Sequence, residues 1–415
     1  MLNKTNQYEV KLKEIIMKKV ISMLLVVSML FSFTVTSFAA GAEDTNVLKF
    51  HKDGTFKILV LADVQDGYPI EVGMLTFMEE ALDYAKPDLV VFCGDNIMTD
   101  DVRAYEQLLT PLVERDIPFS LVFGNHDPEV AGFPLEEQLA EYQKYAGCLA
   151  YDADPALHGC GNHNLLIYSS KGNDVAFNLW FMDSGTSLRD NNGEWLGYDW
   201  VREDQIKWYQ NTRDALTLLN GGEVVPSIMF QHIIPKEAVT ELFYETDTSM
   251  GELTYNFNDG TVYSYVPKVE KFDGYIFEKS CCGFGSDGQW DAMIEGGDVL
   301  AVVVGHDHVN SFVADINGID LVQTPGATYH SYYNNMLQGA RIIELDEGDL
   351  DSYYTYELTS SFLATQSGSE IADSGERSEA SYSFSNIMLP VFDMIMSFFR
   401  DIVKVFINSS PEVVE

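Results

Sequence analysis

The residues of this chain best suited to holding divalent cations sit in short polar clusters, each directly behind an apolar run. Asp63 and Gln65 follow the run 58–61, and Asp95 follows 89–93. His232 follows 228–230, while Gly124-Asn125-His126-Asp127 and Gly305-His306-Asp307-His308 close two more. Carboxylate, amide oxygen and neutral imidazole suit ions of borderline hardness such as Mn, Fe or Zn. Two such ions roughly 3.5 to 4 Å apart can grip both the attacking and the leaving oxygen of a phosphate ester. One carboxylate must bridge the pair, and Asp95 is the natural candidate. Taken singly, each of these residues is better explained as a turn or capping residue. The ordered set is what points to chemistry.

Residues this far apart in sequence can share a site only if the fold brings them together. Open α/β sheets do so, because the crevice outside the carboxyl ends of their strands collects loops from distant positions. Short β-rich runs at 57–62, 88–93, 120–123, 224–230 and 299–304 predict core strands. Leu75, Met78, Leu82 and Ala85 recur at helical spacing between the first two, and Leu108, Leu109, Leu112 and Val113 do so before Pro118. The reading is α/β with a βαβαβ start, and the site stands at the C-terminal ends of the strands.

The ordered set D-x-Q, G-D-N, G-N-H-D, Q-H and G-H-D-H resembles the calcineurin-like metallophosphoesterases, in the branch related to purple acid phosphatases. The likeness spans 47–358 and includes Asp183-Ser184-Gly185, Gly197-Tyr198-Asp199-Trp200 and Gly339-Ala340-Arg341. It implies a four-layer αββα sandwich of two mixed sheets flanked by helices. It also implies one metal held by Asp63, Asp95 and His308 and another by Asp95, Asn125, His232 and His306. A hydroxide bridging the ions would attack phosphorus in line. His126 would stand beside the leaving oxygen as a general acid or electrostatic stabiliser, its tautomer set by a carboxylate or carbonyl. Asp127, Asp100 and Asp101 are candidates for that partner.

Two positions depart from the family pattern. Gln65 stands where many relatives have His, so it is either a weaker, harder donor to the first metal or a hydrogen-bonding neighbour of Asp63. Met98 stands where purple enzymes carry a metal-binding Tyr, so no tyrosinate charge-transfer band is expected.

Composition bounds partners and compartment. Near-uncharged text from Val20 to Phe38 behind Met17-Lys18-Lys19, with small residues to Ala42, predicts a secretory signal over 1–42 preceded by an extension, or else an uncleaved anchor. Removing residues 1–39, which hold five Lys against Glu9 and Glu14, takes the net charge from -39 to -42. So acidic a surface repels polyanions, which argues against nucleic acid and leaves small phosphorylated substrates. Cys93 ends an apolar run and should pack as a small hydrophobe, Cys148 and Cys160 are spaced to allow a bridge, and Cys281-Cys282 is unexplained.

The Ser-, Gly- and acid-rich stretch 359–386 reads as a linker. The tail 387–415 reads as an amphipathic helix that could dock on the domain, self-associate or lie on a membrane surface. Acidic text at 128–160 and aromatics such as Trp195, Trp200 and Trp208 could shape the substrate mouth, although packing is the commoner role. His163 and His330 could line the pocket, while His158 matches no core motif. The expectation is a secreted binuclear phosphatase, which the tail could hold at the cell surface. The alternatives are a phosphodiesterase or nucleotide pyrophosphatase, and a catalytically weak binder of phosphorylated ligands.

Overall fold

The computed structural model describes residues 47–246, 253–256, 262–278 and 280–367. The segments 1–42 and 387–415 lie outside them, as does the expected linker beyond 367.

Alternation within the apolar runs builds two sheets with both faces covered. The first sheet holds β1 (Thr55–Leu61), β2 (Leu89–Cys93) and β3 (Phe119–Val122) in parallel. Helices α1 (Val72–Ala85) and α2 (Arg103–Glu114) connect them, which is the βαβαβ start read from the sequence. Two further helices follow, α3 (Leu135–Tyr142) and the later α4 (Glu203–Leu219).

The second sheet begins with β4 (His163–Tyr168) and β5 (Val175–Phe181); a separate hairpin follows in β6 (Ser187–Arg189) and β7 (Trp195–Tyr198). Next come β8 (Ser227–Phe230), α5 (Lys236–Leu242) and a three-stranded sheet of β9 (Phe243–Thr246), β10 (Leu253–Asn256) and β11 (Val262–Pro267). Then β12 (Phe272–Ile276), α6 (Gln289–Gly296), β13 (Val299–Val304), β14 (Asn310–Ile316) and β15 (Ile319–Gln323) complete the larger sheet, in the order β12-β14-β15-β13-β8-β5-β4. The chain returns to the first sheet in β16 (Gly339–Asp346) and β17 (Asp349–Thr359), giving β17-β16-β1-β2-β3. β8 starts later than its apolar text because Pro226 has no N–H to give a ladder; its carbonyl still accepts from Asn178.

Three clusters prove the layering. Ile58, Val60, Val91 and Ile343 of the first sheet meet Leu179, Phe181, Ile228, Phe230 and Val303 of the second. The alternate residues Leu59, Leu61, Val90 and Phe92 pack outward on Met78, Leu82, Leu108 and Leu112 of α1 and α2. Met229, Val302 and Val304 pack outward on Ile206, Val239 and Met293 of α4, α5 and α6. The buried Arg341 ties the sheets together, donating to Ser311 Oγ at 2.8 Å, the Gln323 carbonyl at 3.0 Å and Glu357 at 3.2 Å. The fold is therefore the mixed α/β, two-sheet sandwich with outer helices.

The text after Thr359 does not open directly into a linker. Helix α7 (Ser360–Ser367) follows at once, with Leu363 buried and Phe362 edge-on to Tyr84 of α1 at 5.4 Å. Two apolar side chains within polar text suffice to anchor that turn. Among the described residues no helix is long and apolar enough to cross a membrane.

Candidate metal centre

Every motif lands at a strand end on one edge of the sandwich. Asp63, Asp95 and Asn125 follow β1, β2 and β3, while His232 follows β8 and His306 and His308 follow β13. Backbone bonds lash these ends together: Asp63 N donates to Gly94 O at 3.0 Å, Gln65 N to Asp95 O at 2.8 Å and Gly305 N to His232 O at 3.2 Å. Asp63, Gln65, Asp95 and His306 all hold positive φ, at 52, 46, 51 and 75°. Each such residue costs about 1–3 kcal/mol and persists only where its surroundings over-determine it. The fully buried strand residues behind them, each worth roughly 1.5–3 kcal/mol of transfer free energy, supply that constraint.

The side chains converge. His232 Nε2 lies 3.2 Å from Asn125 Oδ1, 3.2 Å from Asp95 Oδ2 and 3.8 Å from Asp63 Oδ1. His308 Nε2 lies 3.4 Å from Asp63 Oδ1. Donor atoms of Asp95, His232 and His306 all fall within 4.8 Å of one another. Close approach depends on two glycines: a Cβ on Gly94 would stand 2.3 Å from His232 Nδ1, and one on Gly124 would stand 2.3 Å from Asp95 Oδ1.

Tautomers show what the cluster is built to receive. His232 Nδ1 donates to the Cys93 carbonyl at 2.9 Å and His308 Nδ1 to the Tyr332 carbonyl at 2.8 Å. In the neutral rings the Nε2 lone pairs therefore face carboxylate and amide oxygens. Lone pair against lone pair is repulsive unless a cation or a proton lies between. Burial opposes the charge on both rings, yet Asp95 and Asp63 outweigh it at His232, pushed up to about 10, and Asp63 does so at His308, pushed up to about 9. His306 goes the other way: burial and the neighbouring His232 hold it well below the usual imidazole range, and its Nε2 is buried without a partner. A neutral, unpaired imidazole beside carboxylates is a ready metal donor. The donor set fits divalent cations.

His126 sits at the mouth, half-exposed, with Nδ1 2.7 Å from Glu129 Oε2. Its partner is thus Glu129 and none of the residues weighed from sequence. Asp127 is buried and spends its carboxylate on backbone, accepting from Gly124 N at 2.6 Å, Asn96 N at 2.9 Å and Asp95 N at 3.0 Å. Burial, with the adjacent Asp95 charge, pushes it up to about 7. Its carboxylate thereby ties the loop after β2 to the loop after β3. Asp101 is taken by Arg103. The spacing His126 to Glu129, one turn of the short helix Asp127–Glu129, was the signal for the true partner.

Gln65 makes no bond to Asp63; its Oε1 is buried and unpartnered. His163 belongs to the core, bonded to Ser120 Oγ at 2.7 Å and stacked on Phe181 at 4.4 Å. His330 is exposed with Nδ1 3.9 Å from Asp66, and His158 pairs with Asp199 at 3.1 Å. Cys93 is buried with Sγ 3.2 Å from the Gln231 carbonyl, and Cys148 and Cys160 are unbridged thiols. The bridge that their spacing allows is not formed.

A model of the calcineurin-like phosphoesterases matches residues 56–310. "Probable inactive purple acid phosphatase 14" of Arabidopsis thaliana is 27% identical over 376 residues, covering 82% of this chain and 86% of that protein. "Phosphatase DCR2" of Saccharomyces cerevisiae is 33% identical over 210 residues, covering 44% of this chain and 35% of that protein. A solved dimetal phosphatase from Danio rerio shares 12% identity with a TM-score of 0.42, over 73% of this chain and 98% of that one. Because the family match runs over the very strands whose ends carry the donors, the chain belongs to the calcineurin-like phosphoesterases and is a metal-dependent phosphoric ester hydrolase.

Proposed function

We propose that this chain is an exported phosphatase that hydrolyses small phosphate monoesters with two divalent cations. The observation that carries the reading is His232 Nε2 facing the oxygens of Asn125, Asp95 and Asp63 while its other nitrogen is spent on the Cys93 carbonyl. Asp63, Asp95 and His308 would hold one ion, with the unpartnered Oε1 of Gln65 an additional oxygen on that motif. Asp95, Asn125, His232 and His306 would hold the other. When bound, the ions supply Lewis acidity toward the phosphoryl oxygens and lower the pKa of water.

The chain's own residues do the rest. Glu129 accepts from His126 Nδ1, fixing the ring so that Nε2 can deliver a proton to the departing oxygen. Asp127 holds the Asp95, Asn96 and Gly124 amides and so keeps both loops in register. Export is supported by the near-uncharged run before Ala39 and the acidic remainder of the chain. The net charge of -39 favours small substrates over polyanions.

A second reading, a ligand-binding member with little turnover, draws on Gln65 and on the word "inactive" in the Arabidopsis relative's name. The test is hydrolysis of a chromogenic phosphomonoester and its diester after chelation and re-addition of Mn, Fe, Zn or Mg. Asn125→Ala and His126→Ala variants are run alongside. Metal-restored monoester turnover lost in both variants is expected. Preference for the diester would move the chain to the phosphodiesterases, and binding without turnover would favour the second reading.

A further inference from the structure

Both histidines of the Gly305-His306-Asp307-His308 motif are flanked by a tyrosine, and the two tyrosines differ in one respect. The Tyr332 ring stacks flat on His308 at 4.1 Å, and its hydroxyl is spent on Glu278 at 3.0 Å. It is a prop. The Tyr198 ring meets His306 edge-on at 4.3 Å, yet its hydroxyl has no hydrogen-bond partner among the described residues, and the side chain is half-buried. A phenol held beside a metal-site histidine with its donor unspent is placed to meet something that enters the site.

Tyr198 ends the β6–β7 hairpin, paired with Ser187. Trp195, at the start of β7, lies edge-on to the Tyr198 ring at 5.5 Å and is half-buried, and its neighbour Leu196 is exposed. The base of the hairpin is pinned on the leaving-group side: Thr186 Oγ donates to the carbonyl of Asn125, the residue before His126, at 2.9 Å. On the far side Phe284 N donates to Tyr198 O at 2.7 Å. The hairpin therefore joins the His126 flank of the site to the His306 flank, with two aromatic rings along it.

We infer that Trp195 and Tyr198 form the wall that receives the leaving group, so that the favoured substrates are phosphate monoesters whose alcohol carries an aromatic ring. This rests on the phosphatase reading. Aromatic pairing adds roughly a two- to tenfold preference, and a hydroxyl-to-ester hydrogen bond a similar factor. Phenyl esters, phosphotyrosine and nucleoside monophosphates share the chemistry. A nucleoside 5'-monophosphate and glycerol phosphate have alkyl leaving groups of similar reactivity, so their ratio isolates the ring.

The test measures kcat and KM for adenosine 5'-monophosphate, phosphotyrosine and glycerol phosphate with metal-loaded wild type, Trp195→Ala, Trp195→Phe and Tyr198→Phe. Binding of phenylphosphonate and methylphosphonate is followed in the same proteins by calorimetry. Trp195→Ala should raise KM for the ring-bearing esters roughly two- to tenfold more than for glycerol phosphate and be rescued by Phe. Which ring-bearing ester loses most separates the phenolic from the nucleoside source. Equal losses on all esters, or no loss on any, overturns the inference. If wild type turns over nothing, the phosphatase reading fails and the phosphonates still decide. Tighter phenyl binding abolished in Trp195→Ala upholds the wall, and equal affinities in wild type refute it.

Discussion

Asp127→Ala should unfold the site from behind without touching a single donor atom. The buried carboxylate accepts three backbone N–H groups, from Gly124, Asn96 and Asp95. Each buried donor left without an acceptor costs about 1–3 kcal/mol. Water entering the vacated space recovers part of this, so a loss of about 3–5 kcal/mol is expected, a large share of the roughly 5–15 kcal/mol that holds a domain together. Asp127→Asn is milder. Its oxygen can keep the position that serves both Gly124 and Asp95, and its NH2 then opposes only the Asn96 N–H, for about 1–3 kcal/mol. Urea unfolding of the metal-free proteins should rank wild type above Asn above Ala. Calorimetric titration with Mn should show affinity falling in the same order, because Asp95 is held at φ 51° by the same loop. Unchanged unfolding midpoints in Asp127→Ala would refute the positioning role. Intact stability and metal affinity with lost turnover would return Asp127 to the chemistry.

Three further outcomes follow from the same geometry. Glu129→Gln should lower kcat about tenfold with little change in KM, since it removes the carboxylate that orients His126 and touches no metal donor; unchanged kcat would remove His126 Nδ1 from the mechanism. Gly94→Ala, at φ 88° with its Cβ 2.3 Å from His232 Nδ1, should cost about 1–2 kcal/mol in backbone strain alone and displace His232, seen as weakened Mn binding. The His158 imidazole is raised above its ordinary range by its bond to Asp199. Its contribution to stability is thus full below about 6.5 and is lost as pH rises through the folded value. His158→Gln should flatten the stability profile on that alkaline side of 6.5, and an unaltered slope would contradict the linkage.

Strands and the polar residues gathered at their ends were legible in the sequence for one reason: a core strand buried on both faces reads as a short apolar run, and a polar cluster at its end has nothing to do in the core. That logic finds Asp63, Asp95, Asn125, His232, His306 and His308 without a structure. It cannot assign hydrogen bonds within a loop. Asp127 and Glu129 are both acids within three residues of His126, and only the helical turn beginning at Asp127 decides which one the imidazole meets. Nor does composition resolve short anchors: Phe362 and Leu363 fix α7 within text that averages as a linker. The Tyr198 hydroxyl is equally invisible, because only the neighbouring elements show whether a half-buried phenol has a partner.

The most direct test is anomalous diffraction from crystals of the protein soaked in Mn. Two peaks roughly 3.5 to 4 Å apart, with Asp95 between them, are the predicted result. One peak, or two that do not share Asp95, would contradict the binuclear account.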